Sequence, residues 1–222
     1  MHTSYEFWRG TNNGAPIVAI ATGLMHKSKN RKTGPMVQTY ILRQDMRPIE
    51  ASNTGADEAI CGNCLLRPSI ATGVKCYVNK GWLTTMWDSW RNGNIPRISP
   101  SKLRKLLAGR KLRAGAYGDP AFVPLDVWEQ LYANATGTGY THQWETVNVA
   151  PIAMASVSTV ADATRAQANG WRTYRVDSEG VGATEGEIVC PEESRGIQCA
   201  DCGLCAGNNR QAKNIVITPI GG

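Results

Sequence analysis

Four cysteines near the C-terminus have the type and spacing to bind metal: Cys190, then Cys199, Cys202 and Cys205. The last three form a Cys-x2-Cys-x2-Cys run, Cys199-Ala200-Asp201-Cys202-Gly203-Leu204-Cys205. Thiols set so closely must converge on one small object. A cubane [4Fe–4S] cluster suits them, because each thiolate takes a different iron and Cys190 can supply the fourth ligand. A single tetrahedral zinc more often draws on two separate Cys-x2-Cys pairs, so the crowded triple fits it less well. Zinc is the alternative, and free thiols are the bland reading.

A second thiol group consists of Cys61 and Cys64 with Cys76 further on. Three thiols invite two metal readings. They ligate a second cluster whose fourth iron takes a non-cysteine group or stays open as a Lewis acid. Alternatively, His26 or a carboxylate such as Asp57 completes a zinc site. The bland reading is two loop cysteines and a buried Cys76 beside Tyr77 and Val78.

Seven cysteines without an export signal argue against a disulfide framework. The first residues, Met1-His2-Thr3-Ser4-Tyr5-Glu6-Phe7-Trp8-Arg9, show no basic segment followed by an apolar stretch, so the expected compartment is the cytoplasm. No apolar run approaches the roughly 20 residues of a membrane span, which leaves no membrane partner. At 222 residues, with 42% hydrophobic and 19% charged residues, the chain is long and apolar enough for a packed core. The net charge of +6 is unevenly spread. Ser89 to Gly118 holds no acid but carries Arg91, Arg97, Lys102, Arg104, Lys105, Arg110, Lys111 and Arg113. That zone is either a solvated face or a surface for nucleic acid, although no aromatics are interleaved for base stacking.

These groups need elements to hold them. Ile17–Ile20 and Met36–Leu42 read as a hairpin with a long polar tip. Asp57 to Tyr77 reads as irregular, with Gly62, Pro68 and Gly73 as breakers. Trp82, Met86 and Trp90 recur at helical spacing. Ser99-Pro100 opens a helix that Gly109 stops, and Pro124 to Ala135 gives another. Thr159 with Asp162 opens one that Gly170 closes. Strands are expected at 113–118, 140–144, 153–158, 172–176, 187–189 and 214–220.

Strands spaced by helices imply parallel pairing through right-handed crossovers. The expected fold is one α/β domain over 1–222, a partial or distorted (β/α) barrel with an N-terminal β-hairpin and cysteine-rich loops. Its parts are the hairpin and first cysteine group (1–80), alternating helices and strands (81–189), and the cluster loop with a last strand (190–222).

Functional groups of parallel α/β folds gather beyond the carboxyl ends of the strands. There the sequence offers Asp119 and His142 as proton-transfer candidates, with Arg175 and the loop from Cys190 expected on the same face. Asp119 before Pro120 also reads as a turn-former, His142 as a core residue, and Arg175 as the partner of a neighbouring carboxylate. There is no Cys-x3-Cys-x2-Cys, no P-loop and no His-Glu-x-x-His.

Taken together, several stretches resemble a family of bacteriophage and plasmid proteins, the gene product 88 family. They are Cys61-Gly62-Asn63-Cys64, Cys76-Tyr77-Val78-Asn79, Gly115-Ala116-Tyr117-Gly118-Asp119-Pro120, Gly139-Tyr140-Thr141-His142-Gln143-Trp144, Met154-Ala155-Ser156-Val157, Gly170-Trp171-Arg172-Thr173 and the terminal cysteine loop. The resemblance covers nearly the whole chain. It implies a protein made inside an infected bacterium, and it brings no reaction and no catalytic residue with it. The functional expectation is an iron–sulfur phage protein with a redox or cluster-dependent role, acting on a small molecule or with a redox partner. The alternative is a zinc-binding regulator that meets nucleic acid through residues 91–113.

Overall fold

A computed structural model describes residues 2–70, 76–209 and 211–219. The chain opens with β1 (Ser4–Asn12) and β2 (Ala15–Thr22), joined by Asn13-Gly14 with φ of 48° and 75°. Positive φ at both loop residues matches a two-residue hairpin turn whose twist suits the strands. The antiparallel partner of β2 on its other side is β3 (Val37–Arg43), as the two apolar runs predict. Strand β1 was not expected, although its Asn-Gly turn is a recognised signal.

After β3 come two short helices, α1 (Pro48–Thr54) and α2 (Glu58–Cys61), then α3 (Lys80–Arg91) and α4 (Pro100–Leu106). The predicted caps are in place: the Ser99 side chain accepts from Lys102 N at the start of α4. Helix α2 ends on Cys61, so the stretch from Asp57 is partly helical rather than wholly irregular.

The sheet then continues in parallel through β4 (Arg110–Tyr117), α5 (Leu125–Tyr132), β5 (Ala135–Thr141), β6 (Met154–Val157), α6 (Val160–Ala168) and β7 (Thr173–Val176). Thr159 caps α6 by accepting from Asp162 N. Strand β5 starts five residues before the expected one and excludes His142 and Trp144. Its Thr-Gly-Thr-Gly core shows no apolar alternation. It is nevertheless central, because Gly137 lets the chain run hard against the Leu112 carbonyl.

The last elements are β8 (Glu187–Val189), α7 (Pro191–Arg195), α8 (Cys199–Cys202) and β9 (Asn214–Ile217). Strand β9 inserts between β7 and β8, giving the order β1-β2-β3-β4-β5-β6-β7-β9-β8. The expectation of a (β/α) barrel is corrected here. Closure requires the end strands to pair, whereas β1 and β8 each have one neighbour, so the nine-stranded sheet is open. What holds is the mixed α/β class, the N-terminal hairpin and the run of parallel strands. The cysteine-bearing stretches are not simple loops, since α2 and α8 build short helices into them.

The sheet separates two cores. Ala155, Val157, Leu112 and Ala114 join the larger one with Trp128 of α5 and Ala163 and Ala166 of α6. Met154, Ile215 and Ile217 join a smaller one that contains Cys190 and Cys205. Because side chains alternate across a strand, the neighbours Met154 and Ala155 face opposite ways. The cysteine segment therefore takes, on one face, the covering place that helices take on the other. Among the described residues no helix is long and apolar enough to cross a membrane.

Candidate metal centre

The four C-terminal thiols reach one cavity from three directions. Strand β8 runs into Cys190, whose N–H donates to Val216 O at 2.9 Å and so ties it to β9. Cys199 and Cys202 bracket the single turn of α8, and a three-residue spacing puts both on one side of a helix. Gly203 then adopts φ 62°, a left-handed turn that brings Cys205 back to the sheet, where its carbonyl accepts from Gly139 N at 3.3 Å. The polar tip between β2 and β3 cradles this turn: Cys199 N donates to Lys32 O and Ala200 N to Thr33 O. Gly34 suits this approach: its φ is 67°, and a Cβ there would lie 3.2 Å from the Ala200 Cβ.

Cys190, Cys199, Cys202 and Cys205 all line the resulting cavity. Tyr140 and Tyr174, with ring centroids 4.2 Å apart, form its floor on the sheet. Lys32 and Glu192, paired at 3.3 Å, stand at its rim. Burial pushes the Cys205 thiol up to about 12; a hydrogen bond from the Tyr140 hydroxyl opposes the rise, and the three other thiols add to it. Burial also raises Cys199, against the pull of Arg113 and Lys32. Four thiolates here would repel one another, so their charged form calls for a cation to bind. The Arg113 Nε is buried without a hydrogen-bond partner, while the same guanidinium donates to Tyr77 Oη at 3.2 Å.

The second thiol group assembles at the carboxyl ends of β3, β4 and β5. A tight turn joins its first pair, with Cys64 N donating to Cys61 O at 3.2 Å. Cys76 N donates to Leu66 O at 2.7 Å and returns the third thiol to the turn. Buried Arg67 staples the segment through Asp57 Oδ1, Gly62 O and Gly55 O. Gln143 Nε2 donates to Cys61 O, tying the turn to the end of β5. Burial is the first cause that raises Cys61 and Cys64, the latter to about 11, and Cys76 and Asp119 add to both.

Asp119 is almost fully buried, and both its oxygens are occupied. Oδ1 accepts from Ala121 N at 3.0 Å and Oδ2 from His142 N at 2.7 Å. Its turn-forming role is thus realised, and the same carboxylate locks the end of β4 to the end of β5. Burial raises the Asp119 carboxyl and lowers the His142 imidazole, each opposed by the other's charge.

The structure thus divides the expected site. Asp119 and His142 lie beside Cys61, Cys64 and Cys76, whereas the terminal cysteine loop covers a face of the sheet and forms its own cavity. Arg175 joins neither. Its guanidinium is fully buried against Glu187 and Asp177, the carboxylate pairing that its sequence also suggests.

The basic zone is divided as well. Arg97 pairs with Glu6, Arg91 lies over Trp87 and Trp90, and Arg110 donates to Gly23 O and Leu24 O. Lys111 donates to Ala200 O, and Arg113 reaches Tyr77, so these two serve the cysteine face. Sequence reasoning missed Lys32, Tyr140, Tyr174 and Arg113 as neighbours of the thiols. Isolated aromatics in a strand read as core, and a basic residue in a basic run reads as surface. Among the described residues, no group of three or more His, Cys, Asp or Glu side chains has the arrangement to hold a metal ion. In comparisons with protein-family models, with curated proteins and with solved structures, the chain matches none.

Proposed function

We propose that the chain is an iron–sulfur protein in which Cys190, Cys199, Cys202 and Cys205 hold a [4Fe–4S] cluster with a redox role. One observation carries this reading: the four thiols of residues 190–205 line one cavity. A cubane does not ask its ligands to meet at a point, because each thiolate holds a different iron. The surroundings also suit an anionic centre. Lys32 stands at the rim, the Tyr140 hydroxyl donates toward Cys205, and the Arg113 Nε–H has no other partner. Cations and donors near the sulfurs favour the more negative, reduced state and so raise the reduction potential. By its resemblance to gene product 88 proteins, the chain acts in the cytoplasm of an infected bacterium, with a redox partner or small molecule of that cell.

Anaerobic purification, metal and sulfide analysis and visible absorption test the reading. The protein should be brown, and Cys202→Ala should bleach the C-terminal cluster. Lys32→Met should keep the iron and lower the midpoint potential. A colourless protein with stoichiometric zinc and neither iron nor sulfide would overturn the cluster in favour of the zinc-binding alternative.

A further inference from the structure

We propose that the groove between helix α3 and the start of β1 binds a neutral sugar, with Trp82 as the platform for one face of its ring. No thiol lines this groove, so the inference is independent of the iron–sulfur reading.

The two walls follow from the periods of the elements that build them. Trp82, Thr85, Met86 and Ser89 recur at helical spacing along α3 and form one side. Ser4 of β1 and Thr22 of β2 are paired directly across the strands, so their side chains stand on the same face of the sheet and form the other. Asn94 and Ile95, just beyond α3, add to the lining. The space between them is about 330 Å³. That lies in the range of about 300–1,000 Å³ common to small-molecule sites.

Trp82 is the feature that asks for a ligand. It is 48% exposed, yet its ring is braced by Tyr40 of β3, with centroids 5.2 Å apart and planes at 54°. Its backbone is fixed too, because Trp82 N donates to the Asn79 cap at the start of α3. A large aromatic held in place offers contact area at little entropic cost.

The polar lining selects the chemistry. No Asp, Glu, Lys or Arg lines the groove, and His2 is its one titratable side chain among the described residues. A charged ligand would therefore give up water without gaining a partner. A wholly apolar ligand would instead strand the hydroxyls of Ser4 and Ser89 and the amide of Asn94, which have no side-chain hydrogen bond among the described residues. A pyranose meets both demands, with hydroxyls around its rim and C–H bonds on its faces. Its rim hydroxyls exchange hydrogen bonds with serine and threonine hydroxyls, which donate, accept and rotate to suit. One C–H face then lies on Trp82. A nucleobase is the rival ring, but its edges are read by fixed donors and acceptors such as amides. The groove offers one amide against five hydroxyls, those of Thr3, Ser4, Thr22, Thr85 and Ser89.

Saturation-transfer difference NMR on the full-length protein tests the proposal, with glucose, galactose, mannose and N-acetylglucosamine as probes. At least one should take up saturation, most strongly at the C–H protons of one ring face. Trp82→Ala should weaken that binding about tenfold or more, since it removes the aromatic anchor. Thr85→Lys, at an exposed helical position, should weaken it likewise by putting a long charged side chain into the groove. Circular dichroism of both variants should match wild type, and if Trp82→Ala fails to fold, Thr85→Lys decides the matter. Glucuronate should bind more weakly than glucose. No saturation transfer to any of the four sugars would overturn the proposal, as would sugar binding that both variants leave unchanged. Adenosine or cytidine binding without sugar binding would overturn the ligand class, and so would glucuronate binding as tight as that of glucose.

Discussion

Glu187→Gln isolates the most deeply buried ion pair among the described residues, at the strand that delivers Cys190. Arg175 and Glu187 side chains are both 0% exposed, and the guanidinium grips both carboxylate oxygens, at 3.0 and 2.7 Å. Asp177 Oδ1 at 2.7 Å and Gly182 O complete its shell. Removing one partner of such a pair costs about 3–5 kcal/mol, because the other charge stays buried. Asp177 survives the change, and a glutamine oxygen still accepts one hydrogen bond, so the loss should fall near about 3 kcal/mol. Against a total of about 5–15 kcal/mol that is a large fraction.

The pH dependence follows with a definite sign. Burial pulls the Glu187 carboxyl upward, but Arg175 and Thr184 outweigh it and hold the group below its ordinary range. A lowered folded-state value means that the stabilisation is full above about pH 5 and is lost as acid protonates the carboxylate. The assay is urea unfolding of the full-length chain from pH 3 to 8. Wild type should lose stability below about pH 5, and Glu187→Gln should be weaker at neutral pH with a shallower acid limb. Arg165→Gln, which breaks exposed pairs with Glu145 and Asp162, should cost under about 1 kcal/mol. A Glu187→Gln loss no larger than that control would refute the reasoning.

Asp119→Asn should cost about 1–3 kcal/mol in the same assay, because its amide must face one of two buried N–H donors. Unchanged stability in that variant would refute the positioning role of Asp119. Gly118→Ala should destabilise by about 1–2 kcal/mol from its φ of 75° alone, and more because a Cβ there meets Ile41 O at 2.7 Å. Wild-type stability in that variant would show that the end of β4 is looser than described. Trp90→Phe removes the Nε1–H donor held by Glu6 Oε2 at 2.7 Å and should cost about 1.5–3 kcal/mol. An unchanged denaturation midpoint would place that hydrogen bond outside the folded state in solution.

The elements with strong local signals were legible in the chain. Ser99 and Thr159 cap the helices they were expected to cap, because their side chains satisfy N–H groups three residues on. The apolar faces of α3 and α5 follow from spacing alone. Strand β5 was misplaced because glycine and threonine carry no periodic signal. Its pairing with Leu112 is set by a strand more than twenty residues away.

Sequence by itself determined that the cysteines come in two groups, since Cys-x2-Cys turns fix their members locally. It also determined the parallel α/β class, through the alternation of helices with short apolar strands. Only the tertiary structure decided what stands beside each group. The insertion of β9 between β7 and β8 leaves the sheet open and folds the terminal cysteines over its face, onto Tyr140 and Tyr174. The parallel register of β3, β4 and β5 brings Tyr117, Asp119 and His142 to the other thiols instead. Spacing along a chain is a local quantity, whereas these juxtapositions join residues tens of positions apart and depend on strand order, which no short stretch encodes.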